Sequence, residues 1–174
     1  MIWEINIADC PCRNTNTDKL IQAKYNIENN LLDTYNFKPE TLCDDLFLNT
    51  NDLFNYLNLN DLKENLLLSH DIYNYLIMNR PEENLVLSHG DFSFPNILIT
   101  GDKITGLIDW GYGGVADRWD DISECYRVLR KKCSKYALYS ESDYLKYNEL
   151  FFTELGFEPD VHKTRYFTLL REFF

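Results

Sequence analysis

In the middle of the chain the apolar residues come in short unbroken runs. These are Leu85-Val86-Leu87, then Ile97-Leu98-Ile99-Thr100, then Ile104-Thr105-Gly106-Leu107-Ile108. Runs of this length, rich in β-branched residues, predict strands, and Gly101-Asp102 between the last two predicts a tight hairpin turn. On either side apolar residues recur every three or four positions, the spacing of a helix face. Asp18 to Tyr35 carries Leu20, Ile21, Tyr25, Ile27, Leu31 and Leu32, with capping residues between Asn14 and Asp18 and a break at Pro39. The Asn-, Asp- and Leu-rich text of 41–64 predicts short helices and loops. Leu66 to Asn79 predicts a helix with Ile72, Tyr73, Leu76 and Ile77 as its apolar set, ended by Asn79-Arg80-Pro81. Asp117 to about Ala137 predicts another, with Ile122, Cys125, Tyr126 and Leu129 on one face. Acids crowd its start and bases its later part, as the helix dipole prefers. Asp143 to Leu155, closed by Gly156, and Asp160 to Phe174 predict two more. Met1 to Pro11, with alternating Ile2, Trp3, Ile5 and Ile7, reads as the tail of an element. The pattern predicts one α+β domain spanning 1–174, mostly helical with one small β-hairpin.

Composition narrows the class. The chain has 174 residues, enough for one core, and 45% of them are hydrophobic. No run approaches the ~20 apolar residues of a membrane span, and the start lacks a signal-peptide pattern. A soluble cytoplasmic protein with no membrane partner is expected. The net charge is −11. Binding to nucleic acid needs a basic face, so no nucleic-acid partner is expected. An acidic surface suits a cationic ligand instead. Five cysteines at irregular spacing do not form a disulfide framework, and three scattered histidines make no metal cluster.

The candidate chemistry sits on the predicted hairpin. His89-Gly90-Asp91 is followed by Asn96 five residues later, and Ile108-Asp109-Trp110-Gly111 follows the second strand. Pairing the strands brings Asn96, at the start of one, close to Asp109, at the end of the other. An amide and a carboxylate offer oxygen ligands to a hard cation such as Mg²⁺, which completes its shell with waters and substrate phosphates. Asp91 lies on the loop just before, placed to meet a hydroxyl. These are the parts that a phosphoryl-transfer site needs from one half of a kinase. A His-Gly-Asp tripeptide alone is weak, since all three are common turn residues. The full spacing with the hairpin and the second motif is much more specific.

The stretch from Leu87 to Asp121 resembles the aminoglycoside phosphotransferases, above all the 3′-phosphotransferases. Their pattern is H-G-D-x-x-x-x-N, then G-x-I-D-x-G-R-x-G-x-A-D-R/K-x-x-D, and this chain reads G-L-I-D-W-G-Y-G-G-V-A-D-R-W-D-D over Gly106–Asp121. Ile7-Ala8-Asp9-Cys10-Pro11, Glu149–Gly156 and the closing Leu169–Phe174 also resemble family segments, whereas 31–79 resembles it least. The resemblance implies a protein-kinase-like C-terminal lobe, with the catalytic loop and metal hairpin at 85–111 and C-terminal helices at 117–174. It implies ATP as phosphoryl donor and Mg²⁺ as cofactor. Asp91 would accept the hydroxyl proton, Asn96 and Asp109 would hold metal, and His89 would brace the loop. Glu172 and the carboxylate of Phe174 match positions that bind the drug's ammonium groups, and Arg127 matches a family arginine. Three residues depart from the pattern: Tyr112 and Arg171 replace an Arg and an Asp, and Phe94 stands where some members carry an acid.

The first of seven glycines is Gly90. Nothing before it can form a glycine-rich phosphate loop, and no strand-borne lysine of the kinase type is visible. By resemblance the β-rich N-terminal lobe is absent, so the coding sequence is truncated or a separate chain supplies that lobe. The expected function is phosphorylation of an aminoglycoside hydroxyl, conferring resistance, with the chain alone weakly active or inactive. The competing readings are a kinase of another small hydroxylated metabolite and a non-catalytic remnant.

Overall fold

The structure is a computed structural model; it describes residues 4–32, 36–37, 42–43, 46, 48, 50–57, 67–134 and 140–174. The acidic residues Asp44, Asp45, Asp61 and Glu64, and residues 135–137 at the end of the helix predicted from Asp117, lie outside the described residues. The chain divides into two compact units, one of 1–14 and 84–164 and one of 15–83 and 165–174.

The first unit is built on two antiparallel pairs. Strand β3 (Leu85–Ser88) pairs with β6 (Gly114–Asp117), from Leu85 opposite Asp117 to Ser88 opposite Gly114. Strands β4 (Ile97–Thr100) and β5 (Lys103–Leu107) form the predicted hairpin, with Thr100 opposite Lys103 and Ile97 opposite Leu107. Gly101 takes the left-handed conformation the turn requires, at φ +64°. The N-terminal segment is irregular, and its Arg13 makes an isolated bridge to Val115.

Helix α4 (Arg118–Ser134) follows β6 directly. Its start is fixed by Asp117, whose buried carboxylate accepts the Trp119 N–H at 2.8 Å and the Asn84 N–H at 2.7 Å. Helix α5 (Glu141–Leu155) begins two residues earlier than the periodicity suggested, because Ser140 and Asp143 form a capping box. It ends on Gly156 at φ +69°.

The second unit packs helices α1 (Asn16–Glu28), α2 (Thr50–Tyr56) and α3 (Ser69–Met78) with a two-residue ladder of β1 (Asn36–Phe37) and β2 (Leu67–Leu68). Helix α6 (Val161–Arg171) starts in the first unit and enters the second, where Tyr166, Phe167, Leu169, Leu170 and Phe173 are buried. Large apolar groups of this kind each contribute roughly 1.5–3 kcal/mol on burial. Past Arg171 the last turn tightens: Glu172, Phe173 and Phe174 donate to carbonyls three residues back.

Two predicted apolar faces shift. On α1 the buried positions are Asn16, Leu20, Ala23 and Ile27, while Ile21 and Tyr25 are exposed, and the helix stops at Glu28 rather than Tyr35. On α3 Tyr75 replaces Tyr73 and Ile77 inside. Small and amphipathic residues take the inward stripe, which hydrophobicity alone does not rank.

The capping box generates a pH prediction. The Asp143 carboxylate accepts from the Ser140 hydroxyl at 2.6 Å and its N–H at 3.1 Å, and these bonds hold its pKa below the ordinary 3.8. A depressed carboxylate adds stability above its unfolded pKa and loses it as pH falls through the folded one. Replacing Ser140 by Ala costs about 1 kcal/mol at pH 7. Urea melts at pH 7 and pH 3 will show a smaller acid-induced loss in Ser140→Ala than in the parent chain.

Candidate active site

Strand β3 leads into a loop that could not hold its shape unaided. Gly90 sits at φ +79°, and a Cβ there would collide with the Tyr112 carbonyl. Only glycine satisfies both conditions. The loop is held from below by Asp121 on the first turn of α4. Its fully buried carboxylate accepts the Ser88 hydroxyl at 3.0 Å, the His89 N–H at 3.0 Å and the Gly90 N–H at 2.9 Å. Three donors offset the cost of burying the charge. One turn further along α4, the Cys125 thiol is pushed up to about 12 by burial, with the charges of Glu124 and Asp121 adding to the effect.

His89 is buried and connects the loop to the hairpin. Its Nδ1 accepts the Asp91 N–H at 3.3 Å, and its Nε2–H donates to the Ile108 carbonyl at 2.8 Å. This pair of bonds fits the tautomer with the proton on Nε2. The ring lies 4.5 Å from Trp110 and 6.0 Å from Phe92, centroid to centroid. The Trp110 indole N–H donates in turn to the Leu107 carbonyl at 3.1 Å.

Asn96 closes the arrangement. It ends a 3₁₀ turn over Phe94–Asn96 and is buried. Its Nδ2 donates to the Asp91 carboxylate at 2.9 Å and to the Asp91 carbonyl at 2.9 Å. Both contacts are to oxygens, so the nitrogen end of the amide is fixed and Oδ1 remains to accept. The Asn96 carbonyl takes the Ile108 N–H at 3.0 Å. Asp109 comes next, exposed, and at φ +63°, a conformation that aspartate tolerates better than most residues. Asp91, Asn96, His89 and the backbone leading into Asp109 are thus one connected hydrogen-bonded group. Glu172, half-buried, and Phe174, exposed, belong to the second unit.

The donor set suits one kind of metal. Among the described residues no group of three or more His, Cys, Asp or Glu could hold an ion. Asn96 Oδ1 and the Asp109 carboxylate supply hard oxygen ligands, as Mg²⁺ prefers when waters and phosphates complete its shell. The group can therefore present a carboxylate to a hydroxyl and oxygens to a cation.

Sequence reasoning assigned Asp121 to the helix dipole and did not foresee its role as acceptor for the loop. A signal was present: an acid four residues before Cys125 lies in line with the apolar stripe of α4. The tilted contact of Trp110 with His89, and the Asn14 side chain donating to the Tyr112 carbonyl at 2.9 Å, have no sequence signal.

Residues 41–145 match the model of a family described as the phosphotransferase enzyme family. The chain belongs to this phosphotransferase family. It is 33% identical to an aminoglycoside 3′-phosphotransferase of Enterococcus faecalis over 176 residues, covering 100% of this chain and 54% of that protein. Among solved structures it is similar to an aminoglycoside 3′-phosphotransferase of type VIII, with a TM-score of 0.71 at 20% identity, covering 99% of this chain and 56% of that one. It is also similar to the Streptomyces rimosus aminoglycoside phosphotransferase APH(3′′)-Id in complex with ADP and streptomycin, with a TM-score of 0.64 at 18% identity, covering 99% and 57%. These structures show the fold, the kinase-like α+β fold of aminoglycoside phosphotransferases. The phosphotransferase-family chain spans about half the length of the curated relatives it matches. Among its described residues no helix is long and apolar enough to cross a membrane.

Replacing Asp121 by Ala takes an acceptor from three buried donors, of which the Gly90 N–H keeps its second bond, to the Ser88 hydroxyl oxygen at 3.1 Å. The cost is expected at about 2 kcal/mol or more, since each buried unsatisfied group costs roughly 1–3 kcal/mol. Urea unfolding will measure it; a loss below 1 kcal/mol would show that water replaces the carboxylate.

Proposed function

We propose that this chain carries the hydroxyl-activating and metal-holding half of an ATP-dependent phosphotransferase acting on a hydroxyl of an aminoglycoside. The observation that carries the reading is Asn96: its amide holds the Asp91 carboxylate at 2.9 Å while its backbone accepts from the residue before Asp109. In this reading one residue, through its side chain and its backbone, positions both the base and the cation ligands. The 3′-phosphotransferase relatives and the neighbour bound to ADP and streptomycin support the choice of donor and acceptor.

In this reading Asp91 receives the proton of the attacking hydroxyl as its oxygen bonds to the γ-phosphorus and ADP leaves. The hydrogen bond from Asn96 keeps the carboxylate aimed. Asn96 Oδ1 and Asp109 would hold Mg²⁺, which when bound neutralises charge on the nucleotide phosphates. His89 fixes the distance between the two halves of the site and takes no proton from substrate. Glu172 and Phe174, in the second unit, are proposed on resemblance as groups that bind ammonium.

No glycine stands before Gly90 to form a glycine-rich phosphate loop, so the activity of this chain alone is inferred to be low. The test measures kanamycin-dependent ADP release with Mg²⁺-ATP, for the chain alone and joined to the N-terminal segment of the Enterococcus relative. The joined form is expected to turn over, and Asp91→Ala to slow it by about 10²- to 10⁴-fold. Turnover that survives Asp91→Ala, or ATP consumption indifferent to the drug, would overturn the reading.

A further inference from the structure

A second cavity in the first unit has a different chemistry from the site above. It lies where α4 and α5 meet the catalytic turn and has a volume of about 630 Å³. Three rings line it, Phe94 from the turn and Tyr147 and Phe151 from α5, with Leu129 and Leu150 among the aliphatic walls. Glu154 is the charged residue lining it among the described residues. No basic side chain among them faces the space.

This lining rejects the substrate proposed for Asp91. An aminoglycoside is polyhydroxylated, and burying hydroxyls against apolar walls without partners is strongly unfavourable. The same walls suit a flat apolar body, because volumes of roughly 300–1,000 Å³ with few polar groups hold drug-sized ligands. Rings along the wall favour edge or offset contact with another ring. One carboxylate at the wall, on a chain of net charge −11, selects a single positive charge over a negative one.

We infer that this cavity is a binding site for a monocationic aromatic amine, separate from the phosphoryl-transfer site. It stands whether or not the chain is catalytic. An occupant would press on Phe94, which shares its short 3₁₀ turn with Asn96.

The probe is 1-naphthylmethylamine, titrated calorimetrically into the full chain at pH 7, with 1-naphthaleneacetate as the same ring carrying the opposite charge. Leu150 is half exposed, so Leu150→Trp can fill the mouth without disturbing the core, and circular dichroism checks that it folds. One site for the amine is expected, weakened about tenfold or more by Leu150→Trp. Glu154→Gln is expected to weaken it about two- to fivefold, the size of an exposed ion pair. Ile104→Glu, on the exposed face of the β4–β5 hairpin, is expected to leave it unchanged. Absence of binding at millimolar amine would overturn the inference. So would equal affinity for the acetate, insensitivity to Leu150→Trp, or loss in Ile104→Glu.

Discussion

The arrangement around Asp91 depends on one buried carboxylate. Asp121 accepts from a side chain and two successive backbone amides, on residues 88 to 90. Those amides point inward because Gly90 adopts a left-handed backbone, and Gly90 can do so because nothing replaces its hydrogen. With the loop drawn onto α4, the ring of His89 stands where it can bond Asp91 on one side and Ile108 on the other. Each step constrains the next. A charge in the interior would ordinarily be unfavourable, but here it accepts from three donors of the loop, of which the Gly90 N–H alone has a second acceptor, the Ser88 hydroxyl oxygen.

What the sequence makes legible follows from the range of the interaction. The hairpin is local: the Gly101-Asp102 turn and the flanking β-rich runs specify Thr100 opposite Lys103, and the structure has that register. The spacing from Asp91 to Asn96 is local too. Helix faces are not. Ile21 is as apolar as Leu20 and Ile27, yet it faces solvent on α1 together with Tyr25, while Ala23 faces in. Which stripe is buried is decided by partners far along the chain, such as Phe173, whose carbonyl accepts from Asn26 at 2.7 Å.

Asp121 illustrates the same limit from the polar side. At the first turn of a helix an acid has a sufficient local explanation in the dipole, worth about 0.3–1 kcal/mol. Its partners are more than thirty residues away and are mostly backbone amides, which every residue carries. Side-chain types cannot announce such a partner. The position of the acid within the stripe of Cys125 is the trace left in the sequence, and it becomes meaningful once the β3–β6 pair sets Ser88 against α4.

Under the proposed function, the choice of asparagine at position 96 follows from two tasks that its amide would perform at opposite ends. Nδ2 must donate to the Asp91 carboxylate, and Oδ1 must remain an acceptor for a cation. An aspartate there would bring more charge to the metal, but its second oxygen would face the oxygen of Asp91 at hydrogen-bond distance. Two carboxylates sharing such a contact bind a proton between them, raising one pKa strongly. The shared proton would occupy the lone pair that Asp91 needs for the substrate hydroxyl. A neutral amide avoids this conflict, and Asp109 carries the negative charge instead. Asp109 can do so from an exposed strand end because it makes no demand on Asp91; its backbone position, through Ile108, is what the two share.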